Sequence, residues 1–278
     1  MPSRDGDSEA RIEVRKTYKL LINGEFVRSE SGRSFARDDV NVPRASRKDL
    51  RDAVRAARTA FPAWAGRAPM NRGQILYRAA EMLDARRQQF IRELGGGRRA
   101  GREVDATVTA LVWYAGWTDK IAQLFGTVNP VAGPYFNFTI PEPTGVVGVV
   151  APDAPALAGL VARLAPILAG GNCVVAIASA ASPLPALTFG EVLATSDFPP
   201  GVVNLLTGRR AELLPWLGAH MDVNAIDATG SSAEELGALQ GAGAGNVKRI
   251  VAERDGELSP MAITDLMEFK TVWHPIGT

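Results

Sequence analysis

Apolar residues in this chain follow two periods, and the change from one to the other near residue 145 organises the sequence. Behind Ser46, the residues Leu50, Val54, Ala57, Phe61 and Trp64 recur at spacings of three and four, which predicts an amphipathic helix capped by the serine. Pro69 suits the first turn of a second helix, running through Ile75, Leu76, Leu83, Phe90 and Leu94 and stopped by Gly95-Gly96-Gly97. A third carries Val104, Val108, Leu111, Trp113, Tyr114, Trp117, Ile121 and Leu124; helical spacing reads these aromatics as core or interface packing rather than a stacking platform. Ahead of the helices, YKLLINGEFV (18–27) predicts a short strand pair turning at Asn23-Gly24, after a charged, mobile leader over 1–17.

Beyond residue 145 the pattern becomes β-rich: GVVGVV, CVVAIAS, VVNLLT, NAIDAT and VKRIVAE are short apolar runs. Stretches of helix length, 156–169, 184–195, 210–219 and 232–243, separate them. This alternation predicts an α/β fold with a Rossmann-like parallel five-stranded sheet and flanking helices, built from right-handed crossovers. Ligands in such sheets bind at the carboxyl ends of the strands, so binding residues are expected just after each run.

Composition narrows the function classes. The 278 residues are 46% hydrophobic and 22% charged, enough for a large core, and 31 Lys+Arg against 30 Asp+Glu leave a net charge of +1. That balance predicts no nucleic-acid or anionic-membrane partner. One cysteine and two histidines exclude a disulfide framework and predict no metal site. The opening segment is too polar for a signal peptide, and the apolar region 145–170 is broken by Asp153, Arg163 and prolines, so the cytoplasm is the expected compartment.

Three stretches are candidates for chemistry. GAGAG (241–245) lies after a helix and before a strand, the reverse of a phosphate-binding context, and reads as a connecting loop. TGSS (229–232) has the right context: Gly230 and Ser231 are positioned to hold a phosphate, or Ser231 or Ser232 caps the following helix. Cys173, in GNCVVAIASAASP (171–183), sits on a buried strand with no histidine nearby in sequence and reads as a structural thiol, not a nucleophile.

The motifs LINGEFV, AARTAFPAWA, PTGVVGVV, LAPILAGGNCVV, FPPGVVNLLTG and ATGSS occur in an order and spacing that resembles the aldehyde dehydrogenase superfamily, over roughly residues 18–260. The resemblance implies a cofactor domain for NAD or NADP, a catalytic domain with a reactive cysteine, and a strand-rich oligomerisation arm. Four departures stand out. The lysine and glutamate that would grip the adenosine ribose correspond here to Ile177 and Ala180, so no cofactor is expected, or at most weak NAD or NADP binding. Pro152-Asp153-Ala154-Pro155 replaces the turn that supplies an oxyanion-stabilising asparagine, and places an acid there. Glu253 aligns with the family's general base only through a one-residue slip. Eighteen residues follow Pro260 and contain no cysteine, so the resemblance implies that the catalytic domain is absent and no residue here is catalytic.

The same resemblance divides the chain into an N-terminal helical part of the cofactor-type domain (18–130), oligomerisation strands (131–145 and 266–278) and a Rossmann-like part (146–260). FKTVWHPIG (269–277) alternates as a half-buried strand and matches the family's last strand. Strand edges of this kind pair with other chains, which singles out Phe136, Phe138, Ile140, Phe269, Thr271 and Trp273 as interface residues. The expected role is a pseudoenzyme: a non-catalytic subunit assembling through the arm with a full-length aldehyde dehydrogenase, or with itself. The alternatives are a residual nucleotide-binding regulator and an aldehyde oxidoreductase active only with a partner's cysteine.

Overall fold

The computed structural model describes residues 16–37, 39–253 and 258–277. Two short hairpins lead: β1 (Leu20–Ile22) with β2 (Glu25–Val27), and β3 (Ser34–Arg37) with β4 (Val40–Pro43). Helices α1 (Arg47–Ala65), α2 (Pro69–Ala85), α3 (Arg87–Glu93), α4 (Gly97–Ala115) and α5 (Ile121–Phe125) follow. Then come β5 (Thr127–Asn129), β6 (Tyr135–Pro143), β7 (Val146–Val150), α6 (Ala156–Ala169), β8 (Cys173–Ile177), α7 (Leu184–Ala194), β9 (Val203–Leu206), α8 (Arg210–Ala219), β10 (Ala225–Asp227), α9 (Ala233–Gly243), β11 (Arg249–Val251), α10 (Met261–Thr264) and β12 (Met267–Pro275).

The five β-rich runs form one parallel block in the order β11-β10-β7-β8-β9. Helices cover both faces, so β7 and β8 are buried along their whole length, which is why they read as unbroken apolar runs rather than alternating ones. The sheet is larger than expected. Hairpin β1-β2 adds two antiparallel strands beyond β9, giving seven among the described residues. Burial of Leu20, Leu21 and Ile22 and pairing of Leu21 with Leu205 dock β1, and Asn204 fixes its turn: its Oδ1 accepts from the Asn23 amide at 2.9 Å, while its Nδ2 donates to the carbonyls of Gly201 and Val174. Asn23 and Gly24 hold the positive φ angles that the turn requires.

Two predicted helices are divided. The second breaks at Arg86, whose backbone leaves helical geometry and whose guanidinium pairs with Glu191 of α7 at 3.2 Å. The third stops at Gly116, whose amide closes onto the carbonyl of Val112, and resumes only at Ile121. Ser46 caps α1 as predicted, with Asp49 answering to the Ser46 amide at 2.7 Å. Trp113 contacts both Tyr114 and Trp117 edgewise or tilted, and these rings pack against the core.

Away from the main sheet, β12, β6 and β5 form a separate arm in that order. Met267 to Pro275 pair residue for residue with Pro143 to Tyr135, so β12 is bonded on one side only. The arm is fixed to the sheet at one junction. Asn172, fully buried at the start of β8, accepts from the Gly145 amide at 2.8 Å and donates to the Leu266 carbonyl at 3.0 Å. Asn224 accepts from the next amide, Val146, at 3.0 Å. No described helix is long and apolar enough to cross a membrane.

Removing the Asn172 side chain strands a buried donor and a buried acceptor. Asn172→Ala is expected to cost about 2–4 kcal/mol, seen as a lower urea midpoint at unchanged slope; an unchanged midpoint would contradict the junction's importance.

Candidate functional site

The strand order reverses between β7 and β10, and the crevice beyond their carboxyl ends is the ligand position that this topology dictates. Three loops meet there. Asp153 comes from the loop after β7, Ser179 to Ala181 follow β8, and Gly230 and Ser231 follow β10. Asp153 Oδ1 accepts from the Ser179 hydroxyl at 2.9 Å and from the amides of Ala180 and Ala181 at 3.2 and 3.4 Å. Arg210, at the first position of α8, approaches the same oxygen at 3.5 Å. Burial raises the Asp153 pKa, but the Ser179 hydrogen bond, the Arg210 charge and the two amides outweigh it and hold the carboxyl below its ordinary range.

Arg210 ties the loops together. Its guanidinium donates to the carbonyls of Ala151 and Gly230 and pairs with Glu235 at 3.5 Å, while its Nε is buried without a hydrogen-bond partner. Gly230 serves close packing: a Cβ there would lie 2.2 Å from the Val150 carbonyl oxygen and 2.6 Å from the Pro152 nitrogen. Of the two cap candidates, Ser232 is the cap, in a reciprocal box with Glu235. The Ser231 amide is used by the Ala228 carbonyl, but its hydroxyl is buried and unpaired. The helix N-terminus after β7 is taken: Glu103 of α4 accepts from the Leu157 amide at 2.8 Å.

Sequence reasoning missed Arg210 and Glu103. The Arg209-Arg210 pair just after Gly208 was a visible signal, since the crevice is lined by residues following strands; Glu103 had none, because it arrives from a helix 54 residues away.

Cys173 is fully buried on β8, and burial pushes its thiol up to about 12, far from nucleophilic range. Glu253 is exposed, and the rest of its aligned motif, residues 254–257, lies outside the described residues. GAGAG closes α9 and enters a 3₁₀ turn, as a connector would. The six arm residues divide by register. Phe136, Phe138 and Ile140 share one face with His274, Val272 and Lys270; Phe269, Thr271 and Trp273 share the other with Pro141, Thr139 and Asn137.

The description "Aldehyde dehydrogenase family" matches residues 37–274 as a family model, well over half of the chain. The chain belongs to the aldehyde dehydrogenase family. It is similar to mouse retinal dehydrogenase 2, 34% identical over 272 residues, covering 91% of this chain and 51% of that protein. Among solved structures it is similar to the NAD+ complex of a Bacillus cereus aldehyde dehydrogenase, with TM-score 0.77, 27% identity and coverage of 87% and 53%. It is also similar to PnpE in complex with nicotinamide adenine dinucleotide, a Pseudomonas protein, with TM-score 0.76, 29% identity and coverage of 84% and 50%. The chain thus spans about half the length of the relatives it matches.

These complexes correct the expectation of no cofactor, or at most weak NAD or NADP binding: similar structures hold NAD+. Loss of polar groups at Ile177 and Ala180 was too narrow a test, because it considered one strand end alone. The crevice as a whole carries chemistry that suits a phosphate and ribose ligand: the half-exposed Asp153 carboxylate and the Arg210 guanidinium, beside a Ser231 hydroxyl and an Arg210 Nε that are buried without partners. The residues present fit a nicotinamide dinucleotide.

The Cys173 environment sets a measurable expectation. In the native protein near neutral pH, iodoacetamide should label this thiol at least ~100-fold more slowly than an unstructured cysteine, with full labelling in denaturant. Rapid native labelling would show an accessible thiolate.

Proposed function

We propose that this chain is a non-catalytic aldehyde dehydrogenase subunit that keeps the family's nucleotide crevice and assembles through its arm with a full-length aldehyde dehydrogenase. The observation that carries this reading is the β12 edge. Nine residues of backbone are bonded on one side only, and Phe269 and Trp273 stand 48% and 58% exposed along it. Phe136, Ile140 and Val272 add exposed apolar surface on the opposite face. Unpaired edges of this length and composition invite another strand, and an exposed apolar patch marks a partner surface.

The chemistry argues against independent turnover. The one cysteine is buried with a raised pKa, far from nucleophilic range. Bound nicotinamide dinucleotide would supply hydride acceptance. This chain's part is to hold it, with Ser231 and Arg210 toward its phosphates.

Native mass spectrometry of the chain purified gently from its own cells tests the assembly. A stoichiometric complex with a chain of full dehydrogenase length is expected. Trp273→Glu or Phe136→Glu should weaken it by at least about tenfold, whichever lies on the buried face, since an interface aromatic replaced by a charge typically costs more than 1 kcal/mol. A monomer at micromolar concentration with no dehydrogenase attached would overturn the reading, and a homo-oligomer would replace the partner with a second copy.

A further inference from the structure

In doubly wound sheets the end of the second strand of the βαβ unit carries an acid that accepts hydrogen bonds from the nucleotide's ribose hydroxyls. The residues after β8 here are Ala178, Ser179, Ala180 and Ala181, none of them acidic. A carboxylate nevertheless stands at this strand end. It belongs to Asp153, 26 residues earlier, and it is held by the very residues of the loop that lacks one.

Its two oxygens are used differently. Oδ1 takes all of the internal hydrogen bonds, from the Ser179 hydroxyl and the Ala180 and Ala181 amides, and is also the oxygen nearest Arg210. Oδ2 takes none of them, and the side chain is 52% exposed. The carboxylate is therefore fixed in direction by one oxygen while the other remains available at the crevice mouth.

On the reading that the crevice holds a nicotinamide dinucleotide, we infer that Asp153 is the ribose acceptor, supplied by the β7–α6 loop in place of a strand-end acid, and that it selects NAD over NADP. A carboxylate oxygen accepts from a ribose 2′-hydroxyl through a charge-assisted bond. A 2′-phosphate at the same place meets it as a like charge. Two cations face this loop from other elements: Arg210 of α8, whose guanidinium lies 3.5 Å from Asp153 Oδ1, and Arg37 of β3, whose Nε donates to the Ala181 carbonyl at 2.9 Å. Both favour a 2′-phosphate once Asp153 is neutralised.

Calorimetric titration of the purified chain with NAD and with NADP, repeated on Asp153→Asn, tests this. Native protein should bind NAD at least about tenfold more tightly than NADP, and D153N should reduce that ratio by about tenfold or more, through weaker NAD and stronger NADP binding. The ratio is insensitive to any fraction of misfolded variant, and adding Arg37→Ala to D153N should reduce its gain in NADP binding, with Arg210 retaining the remainder. If NAD binds and the ratio is unchanged within twofold in D153N, or if the native chain prefers NADP, the assignment of Asp153 is wrong while the nucleotide crevice stands. If the native chain takes neither nucleotide at millimolar concentration, the crevice reading fails and this inference with it.

Discussion

The whole molecule depends on how two successive backbone amides are satisfied. At Gly145 and Val146 the chain leaves the arm and enters the central sheet, and neither N–H finds a strand partner through its own ladder. Asn172 and Asn224, from the starts of β8 and β10, supply the acceptors. Buried amides without acceptors would each cost on the order of 1–3 kcal/mol, so the crossing is possible only because side chains from the neighbouring strands close it. Gly145 adds a second constraint: its φ is +136°, and a Cβ would strike Asn224 Oδ1 at 2.2 Å. Arg249 completes the corner by donating to the Met267 carbonyl at 2.7 Å, which sets the start of β12. Sheet and arm are thereby held in one register by a few polar side chains.

The crevice is built on a similar economy of charge. Three carboxylates close its loops: Glu103 the α6 N-terminus, Glu235 the start of α9, and Asp153, through Oδ1 alone, the loop after β8. Arg210 balances two of the three and binds two carbonyls besides. Negative groups placed at helix N-termini are favourable in themselves. Their arrangement leaves the Ser231 hydroxyl as the polar group on the β10 side that still lacks a partner.

The central sheet was legible in the sequence because strands buried on both faces must be apolar throughout, and helix-length spacers between them leave a parallel arrangement as the natural solution. The docking of β1-β2 was not, since its turn is held by a side chain 181 residues away, Asn204, that reads in sequence as an ordinary polar interruption of VVNLLT. The helix break at Arg86 was hidden for a related reason: no glycine or proline marks it, and the ion pair made there is with Glu191, 105 residues away. At the crevice each loop was visible singly, and Asp153 was noticed as an acid out of place. That it belongs with Ser179 and Arg210 depends on contacts across dozens of residues, which no local pattern encodes. The cofactor expectation failed on the same ground, judging one strand end apart from the loop that folds over it.

The arm has a temporal consequence. β6 lies before the whole parallel sheet in the chain, and β12 after it, so their nine-residue pairing encloses every strand and helix between. Such a contact is of long range, and its closure entropy is overcome only once the intervening fold has brought the two ends together. On the ribosome, β6 waits without its long partner until the entire α/β block has emerged. The edge offered to another chain is therefore late to form: the α/β block is folded before the surface that recruits a partner exists.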